Sequence, residues 1–249
     1  MKIIGIIPAR FQSTRLPGKP LLVIDGKSML QRVYEQSLKA KCLSKVIVAT
    51  DDERIKKHIL SFGGNVVMTA TTHQSGTDRC CEAIEKWKEK YDIVINIQGD
   101  EPFINPLQIE QVANCFKSKK TQIATLIKEI SEVKELFDIN KPKVIINSEN
   151  EAIYFSRSPL PHLRNRKKNQ WLQHHSYYKH IGIYAYRTAI LKKISKLNQS
   201  KLELAESLEQ LRWLENGYKI KTTITKYNSY SVDTLDDIKK IKLLLKSNF

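Results

Sequence analysis

The sequence lacks the cysteine spacing of a metal or redox site. Its four cysteines include no Cys-x-x-Cys pair, which argues against a zinc ribbon and a thioredoxin-type motif. It also lacks a long apolar run, because the first apolar stretch is interrupted by Gly5 and Pro8 and then meets Arg10. Such a stretch is too short for a signal sequence or a membrane span. Cysteines without a secretory signal are typical of a reducing cytoplasm, so we expect a cytoplasmic protein that does not associate with membranes.

A P-loop and a nucleic-acid-binding module are missing as well. Gly26-Lys27-Ser28 resembles the end of a P-loop, but the glycine required five residues earlier is replaced by Leu21. The net charge of +16, from 42 Lys and Arg against 26 Asp and Glu, could attract nucleic acid. No lysine block is long, however, and neither an aromatic stacking platform nor a recognition helix is present. A basic nucleic-acid-binding protein is therefore the weaker alternative, and nucleic acid is not the expected partner.

The chain does contain the alternating pattern of an α/β protein. With 41% hydrophobic and 27% charged residues, its 249 residues can bury the core of one large domain. The run that begins at Ile3 shows little polar alternation, as in a strand that is buried on both faces, and further strands are expected over 45–50, 65–68 and 91–97. Amphipathic helices separate them, and the first is capped by Ser28. The pattern predicts a Rossmann-like, mostly parallel sheet flanked by helices.

This rhythm changes from residue 121 onward. A strand with polar alternation is expected over 123–130, and two short strands between 144 and 155 have the pattern of a hairpin. These features predict a smaller, β-containing lobe inserted at about 121–187 into a single domain that spans 1–249. One helix is expected over about 202–216.

Three cations follow the first strand in a loop rich in proline and glycine. Arg10, Arg15 and Lys19 lie between the end of that strand and Pro20. A basic loop at the carboxyl end of a central strand is where α/β proteins hold phosphates. The same residues fit an ordinary solvated turn, and residue types alone do not decide between the two. The working hypothesis is a clamp for a nucleoside triphosphate.

Two further loops carry candidate site residues. Ser75 and Gly76 precede a helix and could bring backbone groups close to a base or ribose, although a plain capping turn fits equally well. Asp100 follows a central strand, where a carboxylate is well placed to hold a hard cation. We favour Asp100 over Glu101 as the metal ligand. Asp233, taken alone, is more readily explained as a helix N-cap.

Several motifs, in this order along almost the whole chain, resemble one family. They are IIPARFQSTRLPGKPL (6–21), VIVATDD (46–52), HQSGTDR (73–79), INIQGDEP (95–102), YFSRSPLP (154–161), KHIGIYAYR (179–187), LELAESLEQLRWLENG (202–217) and VDTLDD (232–237). Each motif alone is weak evidence, but chance agreement of all of them is not credible. The sequence resembles the 3-deoxy-D-manno-octulosonate (Kdo) cytidylyltransferases, which are nucleotidyltransferases.

The resemblance implies a fold, a reaction and a cofactor. The fold would be the nucleotidyltransferase type, with the smaller lobe contributing to the sugar site and to the contact of a homodimer. The reaction would transfer CMP from CTP to the anomeric hydroxyl of Kdo and release pyrophosphate, for lipopolysaccharide biosynthesis. Mg²⁺ would assist it. Two polyanions must approach each other in such a reaction, which requires cations.

The resemblance also implies roles for individual residues. The residues expected to take part in catalysis are Arg10, Arg15, Lys19, Asp100 and Asp233. Those expected to bind CTP are Ala9, Arg10, Arg15, Lys19, Ser75, Gly76, Gln98 and Asp100. Those expected to bind Kdo are Gln98, Arg157, His180, Tyr184, Glu209 and Gln210. The Mg²⁺ ligands would be Asp100 and Asp233, so on this basis Asp233 is a ligand rather than a cap.

Two departures from the family pattern leave alternatives open. Phe11-Gln12-Ser13 stands where Tyr-Ala-Ser is expected, and the basic stretch over 163–178 matches no motif. We expect a mobile loop over 163–175. Sugar specificity rests on a few hydrogen bonds, so 8-amino-Kdo and sialic acid remain alternative acceptors.

Overall fold

The computed structural model describes residues 1–12, 16–232, 234 and 236–239, which form two compact units. The first unit contains Met1–Glu110 and the described residues from Asn228 onward, and the second contains Gln111–Tyr227. The predicted single domain over 1–249, with a lobe at about 121–187, stays a prediction. No helix in the described part of the chain is both long and apolar enough to cross a membrane.

The first unit is built on a parallel sheet. The strands of this unit are β1 (Ile3–Ala9), β2 (Val23–Ile24), β3 (Lys27–Ser28), β4 (Lys45–Thr50), β5 (Val66–Met68) and β6 (Ile93–Asn96). Strands β2 and β3 form a separate antiparallel pair. Strands β6, β1, β4 and β5 lie side by side in that order, and every pairing among them is parallel. Ile4, Ile6 and Ile7 in β1 are fully buried, because both faces of this central strand are covered. The predicted parallel, Rossmann-like sheet is confirmed.

Side-chain caps begin the helices of this unit. Its helices are α1 (Met29–Leu38), α2 (Glu53–Ser61) and α3 (Gly76–Lys86), and α4 (Pro106–Asn114) begins in it and ends in the second unit. The predicted cap at Ser28 is confirmed, because its Oγ accepts the Gln31 N–H at 3.0 Å. Asp52 caps α2 and Ser75 caps α3 in the same way.

The second unit is mixed. Its strands are β7 (Ile123–Glu129), β8 (Lys143–Ile146), β9 (Ala152–Ser156), β10 (Tyr178–Arg187) and β11 (Ile220–Ile224). Its helices are α5 (Val133–Leu136), α6 (Trp171–His174), α7 (Thr188–Ile194), α8 (Lys201–Glu206) and α9 (Gln210–Glu215). Strand β7 pairs in parallel with β11 and antiparallel with β10, and the predicted hairpin is formed by β8 and β9.

Three local predictions need correction in this unit. The single helix expected over 202–216 is wrong, because Ser207 has φ +50° and separates α8 from α9. The expected alternation in β7 is wrong, because Ile123 to Ile127 are buried without interruption. The stretch expected to be a mobile loop contains α6, where Trp171 is buried and its Nε1 donates to the Arg166 carbonyl at 3.2 Å.

Candidate active site

A cavity of about 290 Å³ lies at the carboxyl ends of β1 and β6. Parallel strands end at the same edge of a sheet, which is where open α/β sheets bind ligands. The residues that line it are Pro8, Ala9, Arg10, Lys19, Pro20, Met29, His73, Ser75, Gly76, Arg79, Gln98, Gly99 and Asp100. We refer to it as the strand-end cavity.

The strand-end cavity brings together most of the residues expected to bind CTP. Those that line it are Ala9, Arg10, Lys19, Ser75, Gly76, Gln98 and Asp100. Two other predicted residues, Arg15 and Asp233, lie outside the described residues. The location of the seven is consistent with a shared ligand, and their individual roles stay predictions.

The start of helix α3 forms one wall of the cavity. Ser75 Oγ accepts the Asp78 N–H at 3.1 Å, so the capping role considered for this loop is present. Ser75 and Gly76 also line the cavity, and the two interpretations are therefore compatible. The positive end of the helix dipole lies beside a cavity that also contains arginine and lysine, an arrangement that favours an anion.

A glycine lets the loop after β6 lie against β1. A Cβ atom at Gly99 would stand 3.0 Å from the Pro8 carbonyl oxygen, which real Cβ atoms rarely approach so closely. Glycine avoids this contact and keeps Gln98 and Asp100, on either side of it, at the strand-end cavity.

An ion pair joins the basic loop to the carboxylate beyond β6. Lys19 Nζ lies 2.8 Å from Asp100 Oδ2, with the two side chains 11% and 33% exposed. The Asp100 carbonyl also accepts the Val232 N–H at 2.9 Å, and Val232 packs against Ile24 and Met29. The residue that precedes Asp233 is therefore held beside Asp100.

The neighbouring acid, Glu101, has a different environment. It is buried, does not line the strand-end cavity, and accepts a hydrogen bond from Ser229 Oγ at 2.6 Å. Burial is the main reason why the pKa of Glu101 rises to about 7, and the charge of Asp100 adds to it. Of the two acids, Asp100 is the one that lines the strand-end cavity.

Two cavity residues with ionisable side chains, Arg79 and His73, were not among the predicted site residues. Arg79 is buried, and its guanidinium donates to Asp51 Oδ2 at 2.8 Å and to Thr69 Oγ1 at 2.7 Å. His73 pairs with Glu82. Both belong to the HQSGTDR motif, so the sequence contained a signal, but their partners lie in distant or unmatched segments.

Glu82 holds the segment that carries His73. It accepts hydrogen bonds from His73 and the Ala70 N–H, and its other oxygen lies 2.6 Å from Lys86 Nζ. Burial acts to raise the pKa of Glu82, but these bonds outweigh it and lower the pKa to about 2. The wall formed by 70–76 is thereby tied to α3.

In the second unit, aromatic rings surround His180 on β10. Its Nε2 lies 2.9 Å from Thr125 Oγ1, and its ring centroid lies 5.3 Å from that of Phe155 and 5.0 Å from that of Tyr184. Burial lowers the pKa of His180 to about 3, so the imidazole is neutral at physiological pH. We call His180, Tyr184, Gln210 and Trp213 the β10 cluster, since Tyr184 also packs on Trp213 with ring centroids 5.0 Å apart.

Several polar atoms of the β10 cluster have no hydrogen-bond partner among the residues that the structure describes. They are Tyr184 Oη, Gln210 Nε2 and Trp213 Nε1. Burial is also the main reason why the pKa of Tyr184 lies well above its usual value. Buried polar atoms are normally satisfied, so these three atoms are exceptions among the described residues.

The other two residues expected to bind Kdo make different contacts. The Arg157 guanidinium donates to the carbonyls of Glu206 at 2.6 Å, Ile139 at 3.0 Å and Ser207 at 3.2 Å. A guanidinium has five N–H donors, so these bonds leave two for another group. Glu209 Oε1 lies 3.8 Å from Arg212 Nη2, at the start of α9.

The parallel sheet and the cavity at its carboxyl edge define a nucleotidyltransferase-type α/β protein. A family model described as cytidylyltransferase matches residues 4–220. A 3-deoxy-manno-octulosonate cytidylyltransferase of Parabacteroides distasonis is 57% identical over 244 residues, covering 96% of both chains. One from Bacteroides thetaiotaomicron is 54% identical over 250 residues, covering 99% of both.

A solved structure agrees with these relatives. CMP:2-keto-3-deoxy-manno-octonic acid synthetase complexed with CTP matches with a TM-score of 0.92 at 41% identity, covering 100% of both chains. The chain therefore belongs to the cytidylyltransferase family, on the branch of the 3-deoxy-manno-octulosonate cytidylyltransferases. The family and fold inferred from the motifs are confirmed.

Proposed function

We propose that this protein transfers CMP from CTP to the anomeric hydroxyl of Kdo and releases pyrophosphate. The observation that carries the proposal is the strand-end cavity, where Arg10 and Lys19 face Asp100 beside the start of a helix. Close relatives named for this reaction support the choice of CTP and Kdo. The product, CMP-Kdo, would serve lipopolysaccharide biosynthesis.

The cations of the strand-end cavity would bind the nucleotide in this reaction. The Kdo hydroxyl attacks the α-phosphorus in line, its bond to phosphorus forms, and the bond from phosphorus to the bridging oxygen of pyrophosphate breaks. Arg10 and Lys19, with Arg15, would bind the triphosphate and neutralise the charge that grows on the departing pyrophosphate. An arginine fork binds two phosphate oxygens at once, whereas lysine acts as a point charge.

The same cavity fits a magnesium ion. Asp100 places a partly exposed carboxylate among the phosphate-binding residues. Over 1–12, 16–232, 234 and 236–239, no group of three or more His, Cys, Asp or Glu side chains could hold a metal by itself. Mg²⁺ needs only one or two carboxylates, because water and phosphate oxygens complete its shell. Asp100, with Asp233, would hold it, and when bound it neutralises and orients the phosphates.

The β10 cluster would bind the sugar. Tyr184 Oη and Gln210 Nε2 are buried without a partner among the described residues, and both can donate to hydroxyl oxygens. His180, which is neutral, adds an uncharged contact. The two guanidinium N–H groups that Arg157 has left suit the Kdo carboxylate. Glu209 and Gln98 would bind further hydroxyls.

The protein would work as a cytoplasmic homodimer, as the resemblance implies. A dimer contact through the β-containing lobe would give a mass of two chains in solution. Light scattering coupled to size-exclusion chromatography measures this mass, and a single-chain mass at enzyme concentrations used in assays would remove the dimer from the proposal.

A pyrophosphate-release assay tests the function. Four nucleoside triphosphates are each combined with Kdo, 8-amino-Kdo, sialic acid or no acceptor. We expect fast release with CTP and Kdo, a much slower release with CTP and 8-amino-Kdo, and none with the other combinations. Release of pyrophosphate with sialic acid but not with Kdo would contradict the proposal. Lys56→Ala, on the exposed face of α2, is a control that should keep full turnover.

A further inference from the structure

A backbone hydrogen bond joins the two ends of the basic loop that follows β1. The Gly18 N–H donates to the Phe11 carbonyl at 3.0 Å, and Gly18 adopts φ +71°. A Cβ atom at Gly18 would lie 3.1 Å from Phe11 Cζ, so the ring fits here only because this residue is glycine. Arg10 and Lys19 are the next residues on either side of this closure. The closure therefore fixes the backbone positions from which these two side chains extend.

The outer face of the Phe11 ring is covered by an arginine from another element. Arg54, in the first turn of α2, places its guanidinium carbon 3.4 Å from the centroid of the Phe11 ring. This is a close cation–π contact. The phenyl ring is thus held between Gly18 of its own loop and Arg54 of the helix.

Arg54 is itself held in place. Its Nε lies 3.0 Å from Asp52 Oδ1 and its Nη2 lies 2.6 Å from Asp52 Oδ2, a bidentate pair. The bond from Arg54 is the main reason why the pKa of Asp52 lies below its usual value. Asp52 is also the N-cap of α2, so the guanidinium plane is fixed relative to the start of a helix.

We propose that Arg54 is a positioning residue for triphosphate binding, acting through Phe11 on the spacing of Arg10 and Lys19. The proposal rests on the proposed function only for the assignment of those two cations to the triphosphate. Arg54 does not line the strand-end cavity, although it lines a neighbouring cavity that also contains Arg10. Phe11, Arg54 and Asp52 form what we call the Arg54 latch.

Binding of CTP and of CMP, measured by calorimetry without any sugar, separates this role from a general structural one. Arg54→Ala should weaken CTP binding about fivefold, the change expected for one exposed cation–π contact. CMP lacks the two outer phosphates, so its affinity should stay the same. In turnover, KM for CTP should rise and KM for Kdo should not. Lys56→Ala removes one positive charge from the same helix and should change none of these values.

Further variants distinguish stacking from charge. Arg54→Lys keeps the charge but loses the planar stacking and the bidentate bond, so it should bind CTP about as weakly as Arg54→Ala. Phe11→Tyr keeps the ring and should bind CTP like the wild type. In a double-mutant cycle, Arg54→Ala should have no further effect on a Phe11→Ala background. Wild-type affinity in Arg54→Lys would overturn the latch, since the charge alone would then explain the effect.

The outcomes also separate this proposal from the proposed function. If the wild type binds CTP no more tightly than CMP, then the triphosphate assignment fails, and the latch fails with it. If the wild type prefers CTP and Arg54→Ala keeps that preference, only the latch fails. Circular dichroism and thermal unfolding of each variant confirm that a weaker affinity does not come from an unfolded protein.

Discussion

The buried, neutral state of His180 should make its own contribution to stability fall as the pH falls, whereas the raised pKa of Glu101 acts in the opposite direction. The pKa of His180 is about 3 in the folded protein, because of burial, and that of an unfolded histidine is about 6.5. Between these values the unfolded chain binds more protons than the folded one, so stability falls as the pH falls. From about pH 7.5 to about pH 5.5, the contribution of His180 to the free energy of unfolding should fall by RT ln 10, on the order of 1 kcal/mol. Any folded pKa below about 4.5 gives nearly the same figure.

Urea unfolding at the two pH values, monitored by tryptophan fluorescence, measures this loss. Relative to the wild type, His180→Gln should make the change in the free energy of unfolding from about pH 7.5 to about pH 5.5 less unfavourable by about 1 kcal/mol, since glutamine does not titrate. The Thr125 hydroxyl already donates to the Ile183 carbonyl at 2.7 Å, so His180 Nε2 donates to it, and a glutamine amide can do the same. His174→Gln changes an exposed histidine on α6 and should keep the wild-type dependence. If the pH dependence of stability in His180→Gln equals that of the wild type, then His180 is not held neutral in the folded protein.

Other predictions concern the metal, the second unit and the stretch over 163–175. Asp100→Asn should cut turnover by about 100-fold or more while thermal unfolding stays within a few degrees, and near-normal turnover would remove Asp100 from the site. Chelation with EDTA should stop pyrophosphate release and added Mg²⁺ should restore it, whereas full activity in EDTA would exclude the metal. Glu203→Gln should cost about 3 kcal/mol in urea unfolding, because it breaks a buried bidentate pair with Arg212, and a cost below about 1 kcal/mol would contradict this. Trp171→Ala should cost about 3 kcal/mol in the same assay, and no loss would show that this stretch does not pack as described.

The strand-end cavity was largely predictable because its chemistry lies at the ends of secondary structure elements. Ala9 ends β1, Ser75 caps α3, and Asp100 follows β6 within a few residues. Once three apolar runs are assigned to parallel strands, their carboxyl ends must meet at one edge. Local sequence and topology together therefore locate these residues without any side-chain contact.

Side-chain contacts between distant segments were not predictable in the same way. Arg54 follows Asp52 within two residues, but its stacking on Phe11 depends on how α2 packs against the loop after β1. Ser207 breaks the helix expected over 202–216 although serine carries no strong signal for positive φ. Arg157 looked like a free cation for a carboxylate, yet three of its donors bind backbone carbonyls.

The contacts within the β10 cluster add structural information to the family resemblance. Taken alone, a histidine on a strand is more often structural than functional, and His180 does bind Thr125. Tyr184 Oη, Gln210 Nε2 and Trp213 Nε1 are nevertheless buried without a partner in the described part of the chain, as are a few atoms elsewhere, among them Trp87 Nε1 and Gln108 Nε2. Each such atom costs about 1–3 kcal/mol unless a ligand or water satisfies it. Under the proposed function, the hydroxyl and carboxylate oxygens of Kdo would supply acceptors for the three donors of the β10 cluster, and no such acceptor would be needed if the cluster were structural alone.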